Sequence, residues 1–335
     1  MSEFLLHQSM AGFAPGGQPA MLFPMQRRAL VLLAAPTISP ARAQPGRPVR
    51  LVVPFPPGGS NDVIARPLAE KLSARLGQPV IVENRPGAGG AIGAAQVAQA
   101  APDGLTLMVT SSSFAASAVI QRTPYDAQGS FEPVALLARA PFLVLTALEF
   151  PPRDIAALIA WARARPGQVD FGSSGPGGIN HFVTEYFALR AGVRMNHVPY
   201  RGMPPAVTDL VAGHIQLLIT TMASASGAIR DGRVRLLAYA AGGAPASSPA
   251  APTVRAAGLD YEASIWWGLL APRGTASGPL QVAIREALAE PDVARIYEAE
   301  GARPAFAPGP VFQAELAADI ARFREVATAA NIRAE

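Results

Sequence analysis

From residue 49 onward, short apolar runs alternate with longer segments whose apolar positions recur every three or four residues. Runs at 49–53, 80–82 and 105–109 read as strands, and segments at 62–76 and 91–100 read as helices. This βαβαβ order is the mark of a parallel sheet flanked by helices. In the first helix Ile64, Leu68, Leu72 and Leu76 stand at i+4 spacing and form one buried stripe. Pro67 interrupts that stripe and is expected to kink or shorten the helix, because it lacks an N–H and biases Arg66 away from helical angles.

Strands follow at 134–137 and 142–147, then a helix at 153–165 that stops at Pro166-Gly167. A second, similar series begins with a strand at 169–172, a glycine-rich loop at 173–179 and a helix at 180–191. A helix at 204–211 and strands at 215–220 and 234–240 complete it, and 242–252 reads as a surface loop. Beyond Trp266-Trp267 the pattern turns helical, at 279–289, 292–300 and 311–330. These last helices need a sheet to cover, and the first half has room. The expected organisation is therefore a discontinuous first domain, 47–148 with 268–335, and a second domain at 149–267 that includes the crossover.

The 335 residues, 50% of them hydrophobic, suffice for two cores. The net charge of +4 is spread thinly, Lys71 is the single lysine, and no basic run suggests nucleic-acid binding. Cysteine is absent, which excludes thiolate catalysis, disulfides and Cys-based zinc sites within the chain. Gln26-Arg27-Arg28, the apolar stretch 29–35 and Ala41-Arg42-Ala43 before Gln44 read as a secretory signal peptide, with the true start at Met21 or Met25. Residues 1–43 are thus expected to be a leader, and no later stretch offers ~18 uninterrupted apolar residues. The expected destination is the periplasm, by a general or a twin-arginine route.

The first strand runs into Pro56-Pro57-Gly58-Gly59-Ser60-Asn61-Asp62. Backbone N–H groups from Gly58 to Asn61 would lack helical partners there, and the helix dipole adds roughly half a positive charge. The turn reads either as an anion cradle, with Ser60 as N-cap and Asp62 in the first turn, or as an ordinary strand-to-helix connection. The second glycine-rich turn, Gly87 to Gly93, fails the dinucleotide fingerprint, since Ile92 holds the third glycine's place and no acid follows about 20 residues on. No P-loop is present. Ser173, Ser174, His181, His197 and Asp209 contain the residue types of a hydrolase, but Gly172-Ser173-Ser174-Gly175 is not Gly-x-Ser-x-Gly. The histidines show neither triad nor metal spacing, and His197 reads as structural. What remains is a set of neutral polar loops: Ser60-Asn61, 111–113, Ser173-Ser174-Gly175 and Tyr200-Arg201-Gly202. Two helix N-termini facing across a cleft would hold a small anion at both ends. Trp266 and Trp267 either pack the interdomain crossover or line that cleft.

Several segments together resemble the Bug-type substrate-binding proteins of tripartite tricarboxylate transporters. They are Val53-Pro54-Phe55-Pro56-Pro57-Gly58-Gly59-Ser60, Val82-Glu83-Asn84-Arg85-Pro86-Gly87-Ala88-Gly89-Gly90 and Ala101-Pro102-Asp103-Gly104-Leu105-Thr106-Leu107. Val198-Pro199-Tyr200-Arg201-Gly202, Thr208-Asp209-Leu210 and Trp267-Gly268-Leu269-Leu270-Ala271-Pro272 continue the likeness. The resemblance implies an α/β, two-domain Venus-flytrap fold of type II, with mixed sheets flanked by helices and a central cleft. It implies a periplasmic, non-enzymatic protein, monomeric and without cofactor or metal, that captures a small carboxylate for the permease subunits of such a transporter. By the same resemblance the ligand contacts are Phe55, Gly58, Gly59, Ser60 and Asn61 on the first loop, and Ser113 and Phe114 on the next. Ser173, Ser174, Gly175 and His181 belong to the facing loop, with Tyr200, Arg201 and Thr220 beside it. Asn61 replaces a common Thr, Pro176 a common Asn, and Thr220-Thr221 a frequent Asp-Asn pair; the lost acid favours a ligand without an amine. The alternatives are a periplasmic hydrolase using Ser174 and His181, and a partner that presents ligand to a membrane sensor.

Overall fold

The computed structural model describes residues 46–333. The leader reading of residues 1–43 lies outside the described residues. The first series comprises β1 (Val49–Val53), α1 (Ser60–Leu76), β2 (Val80–Asn84), α2 (Ala91–Ala98), β3 (Thr106–Ser111), α3 (Ser113–Ile120) and β4 (Phe131–Pro141). The second comprises β5 (Leu143–Ala147), α4 (Ile155–Ala164), β6 (Asp170–Ser173), α5 (Ile179–Ala191), β7 (Asn196–Pro199), α6 (Met203–Ala212), β8 (Leu217–Thr220), α7 (Met222–Arg230) and β9 (Val234–Tyr239). The chain then returns through β10 (Ser264–Pro272), α8 (Gly278–Leu288), α9 (Pro291–Ala299), β11 (Arg303–Pro308) and α10 (Gly309–Ala329).

Two mixed sheets result, a six-stranded one ordered β11-β4-β10-β3-β1-β2 and a five-stranded one ordered β7-β6-β8-β5-β9. In the first, β1 pairs in parallel with β2 and β3, while β10 and β11 run antiparallel to their neighbours. At the middle of the sheets β3 and β8 are buried at every position and mostly apolar, as expected where helices cover both faces.

The chain changes sheets at Phe142, earlier than the crossing near 149 that the pattern suggests. Residues 143–147 are buried at every position and apolar but for Thr146, so nothing in them says which sheet they join. Backbone bonds clamp the crossover: Phe142 N donates to Ala263 O at 3.4 Å, Ala240 N to Phe142 O at 2.7 Å, and Ala263 N to Ala240 O at 3.0 Å. Trp266 and Trp267 are both fully buried beside it. Trp266 donates its indole N–H to Asp319 on α10 at 2.8 Å and meets Phe312 edge-on. α10 also reaches the second half, where Phe323 packs on Phe182 of α5 with ring centroids 5.2 Å apart.

Pro67 neither ends nor shortens α1, which is continuous to Leu76. An interior proline costs about 3 kcal/mol, and burial of Ile64, Ala65, Leu68, Ala69 and Leu72 outweighs it. The pattern missed α3, α7, β7, β10 and β11. α3 and α7 are short and built largely of Ala and Ser without a clear stripe, and β11 is bracketed by prolines. Gly268 lets β10 approach α10, since a Cβ there would enter the Phe312 ring. Gly268→Ala should cost about 1–3 kcal/mol by overpacking, seen as a lower urea midpoint with unchanged slope; an unchanged midpoint would show that α10 does not press on β10.

Candidate functional site

The first loop is held from inside by Asp62. Gly58, at φ +79°, turns the chain so that its N–H points back to Asp62 Oδ2 at 2.9 Å. Arg66, one turn on, grips both carboxylate oxygens at 2.8 Å, and Asn84 at the end of β2 donates to Oδ1 at 2.9 Å and to Phe55 O at 3.2 Å. Burial opposes the charge on Asp62, yet the bonds from Arg66, Gly58 and Asn84 hold its carboxyl below the usual range. The carboxylate therefore stays ionised and is neutralised by Arg66.

Ser60 is not the cap. Gly59 is the N-cap, extended at φ −77°, ψ 166°, and no side chain caps the helix. Asp62 N and Val63 N both bond Gly59 O, whereas the N–H groups of Gly59, Ser60 and Asn61 have no acceptor among the described residues. Asn61 is buried and its Oδ1 also lacks a partner. Phe55 is half-buried against Gly90, whose missing side chain leaves room for the ring.

At the end of β3, Ser112 is buried with an unpartnered hydroxyl and Ser113 is partly exposed. Phe114 does not line a cleft. Its ring is buried between Tyr125, at a centroid distance of 6.0 Å, and Phe131, at 5.4 Å, because α3 turns that face into the core.

The facing loop, 173–178, rests on two histidines. Ser173 is fully buried, takes the Gly175 N–H at 3.1 Å and meets His197 Nε2 at 2.6 Å. His181 accepts the Gly177 N–H on Nδ1 at 3.2 Å and stacks on His197 with centroids 3.7 Å apart. At the N-terminus of α5, His181 N and Phe182 N bond Gly178 O, leaving Ile179 N and Asn180 N free among the described residues. Gly175 and Gly177 have φ of +128° and +68°, and Gly177 lies against Ile120 of α3. Tyr200 N and Gly202 N bond Ser173 O and Ser174 O, which joins the two loops of this half. The Tyr200 hydroxyl donates to Asp209 at 2.7 Å, while Arg201 is exposed without an ion-pair partner among the described residues. Thr220, at the end of β8, is fully buried with an unpartnered hydroxyl.

Ser174 and His181 are not a nucleophile and base. Ser174 Oγ sits 3.4 Å from Asn180 Oδ1, and His181 Nδ1 is occupied by Gly177. Ser173 and His197 are close enough, but Ser173 is sealed from solvent and holds a backbone N–H. Side chains that the sequence reading missed are the supports: Arg66, Asn84, Ile120 and Asn180, whose amide donates to Ile219 O at 2.8 Å. Of these only Arg66, at i+4 from Asp62, carried a readable signal.

Residues 64–323 match the tripartite tricarboxylate transporter family receptor. The chain belongs to this receptor family. Protein BugT of Bordetella pertussis is 39% identical over 82% of this chain and 86% of its own length. A solved R. palustris protein with adipate is 33% identical, with a TM-score of 0.73 over 87% of this chain and 99% of that one. The periplasmic binding protein BugD is 30% identical, with a TM-score of 0.70 over 87% and 100%. The receptor thus shares its two-sheet fold with solute-binding proteins of the periplasm, and its relatives bind rather than transform.

Burial lowers both histidines of the receptor to about 4, His181 also through the neighbouring His197, and raises Glu185, 3.8 Å from His181, to about 7. A histidine depressed in the folded state stabilises it fully above pH ~6.5 and loses that stability as the pH falls toward 4; Glu185 acts in the opposite sense between about 4.5 and 7. His197→Gln removes one of the two histidine contributions. Its loss of stability between pH 7 and pH 5 should be smaller than wild type by about 1 kcal/mol, discounted for partial exposure. Urea titrations at both pH values check this, and equal losses would refute it.

Proposed function

We propose that this receptor captures a small di- or tricarboxylate, or another organic acid, between its two halves and delivers it to the membrane permease subunits of a tripartite tricarboxylate transporter. One observation carries the reading: three free N–H groups at the start of a 17-residue helix, beside an acid already neutralised by Arg66. An anion there meets donors and a dipole rather than a bare carboxylate. Carboxylate oxygens only accept, so the unpartnered Asn61 Oδ1 calls for a water that donates to both. The free N–H groups of α5 and the exposed Arg201 supply the opposite end.

In this reading Gly58, Gly59, Ser60, Asn61, Ser113, Ser174, Gly175, Tyr200 and Arg201 surround the ligand, with Phe55 as an apolar wall. Phe114 and Ser173 act by packing and by holding the loop. The two lobes close about the Phe142 crossover and its return near 240–263. Thr220 brings no charge, which favours a ligand without an amine. The receptor works as a monomer in the periplasm after removal of its leader.

The test is a thermal-shift panel of mono-, di- and tricarboxylates, adipate included. A ligand at 100 times its dissociation constant stabilises by about 2.7 kcal/mol, and no shift with any carboxylate would refute the proposal. Gly59→Pro suits the observed φ of −77° and removes one donor. It should weaken binding about tenfold, as expected for one hydrogen bond to a charged group; unchanged affinity measured by calorimetry would remove this loop from the site.

A further inference from the structure

Beyond the Tyr200 and Gly202 N–H groups on Ser173 O and Ser174 O and the Gly178 N–H on Gly175 O, the 173–178 loop is fixed by what lies beneath it. Gly175, Pro176, Gly177 and Gly178 offer almost no side-chain packing, and Gly175 and Gly177 adopt φ values open chiefly to glycine. Such a segment is costly to order, by about 1–2 kcal/mol per residue. Two of its backbone N–H groups nevertheless end on one buried cluster. Gly175 N donates to Ser173 Oγ, which is fixed by His197, and Gly177 N donates to His181 Nδ1. The imidazoles are stacked at 3.7 Å and 15°, and Phe171 of β6 closes the stack on His197 at 5.0 Å.

We propose that His181 and His197 are positioning residues that hold the 173–178 loop in its ligand-facing shape, a role that rests on the carboxylate reading above. Neither ring needs to touch the ligand. Because His181 Nδ1 accepts, the neutral ring carries its proton on Nε2, which faces Glu185 Oε1 at 3.8 Å. Protonating Nδ1 would turn the acceptor for Gly177 into a donor and put a charge against the neighbouring ring. Charged groups on the surrounding elements, Arg194 apart, are engaged elsewhere. Asp170 of β6 receives Asn196, Asp209 of α6 receives Tyr200, Arg322 of α10 lies over Tyr186, and Arg194 beyond α5 shares a cavity wall with Glu185. The low proton affinity of both rings keeps the cluster in its accepting form at neutral pH.

Two variants separate the acceptor from the ring. His181→Phe keeps the stacked ring and removes the acceptor; His181→Asn loses the ring but puts an amide oxygen near the place of Nδ1. Amide exchange of Gly177 by NMR should accelerate about tenfold or more in His181→Phe and stay within about threefold of wild type in His181→Asn. Calorimetry with adipate as probe should follow the same order, with affinity reduced about tenfold in the first and largely restored in the second. The wild-type ¹⁵N spectrum should show His181 protonated on Nε2 alone at pH 7. Equal effects of both variants, no effect of either, or a proton on Nδ1 would overturn the proposal. The exchange measurement needs no ligand. If wild type ignores adipate and every other carboxylate, the carboxylate reading fails while Gly177 exchange still decides the brace.

Discussion

A buried carboxylate at the mouth of the proposed anion site would repel the ligand proposed there, and the receptor avoids this at Asp62. Its oxygens face backward, to Gly58 N–H, Asn84 and both arms of Arg66. The arrangement is a relative of the capping box, in which an acid in the first turn returns to the backbone ahead of the helix. Here the ion pair cancels the charge and the Gly58 bond sets the turn, while the next three N–H groups have no acceptor among the described residues. Without Arg66 the acid would oppose an anion; without Asp62 the loop would have no fixed shape.

The facing loop solves the same problem with neutral groups. It has no acid to anchor its glycines, so the buried His181 imidazole and the buried Ser173 hydroxyl accept their N–H groups, with His197 holding the hydroxyl. Both loops leave helix N-termini uncapped by side chains, and both sit at the ends of parallel strands. The halves that carry them are joined where Phe142, Ala240 and Ala263 exchange backbone bonds, and α10 spans them on one side. Met222 against Gly301, Arg303 against Gly243 and Ile120 against Gly177 bring side chains of one half onto glycine backbone of the other. Such contacts can part without leaving a buried polar group behind.

Much of this was readable from residue pattern. The βαβαβ opening, α1 with its stripe, and the terminal helices emerge from periodicity because burial on one face imposes it. α3, α7 and β11 do not, since Ala- and Ser-rich helices have no stripe and a proline-bracketed edge strand lacks alternation. The glycine loops stood out as candidates, yet their supports did not. Asn84 and Asn180 reach across from other elements, and the pairing of His181 with His197 depends on β6 and β7 lying side by side beneath α5. Phe114 shows the converse: it stands in the right loop, but the helix that follows turns its ring into the core.

In the proposed binding mode the first turn of α1 takes one end of a carboxylate and the first turn of α5 the other. The most direct measurement is an amide NMR titration of the receptor with adipate. The largest shifts are expected at Gly59, Ser60 and Asn61 and at Ile179 and Asn180, saturating together. Saturable shifts confined to other parts of the surface, with these five amides unmoved, would contradict it.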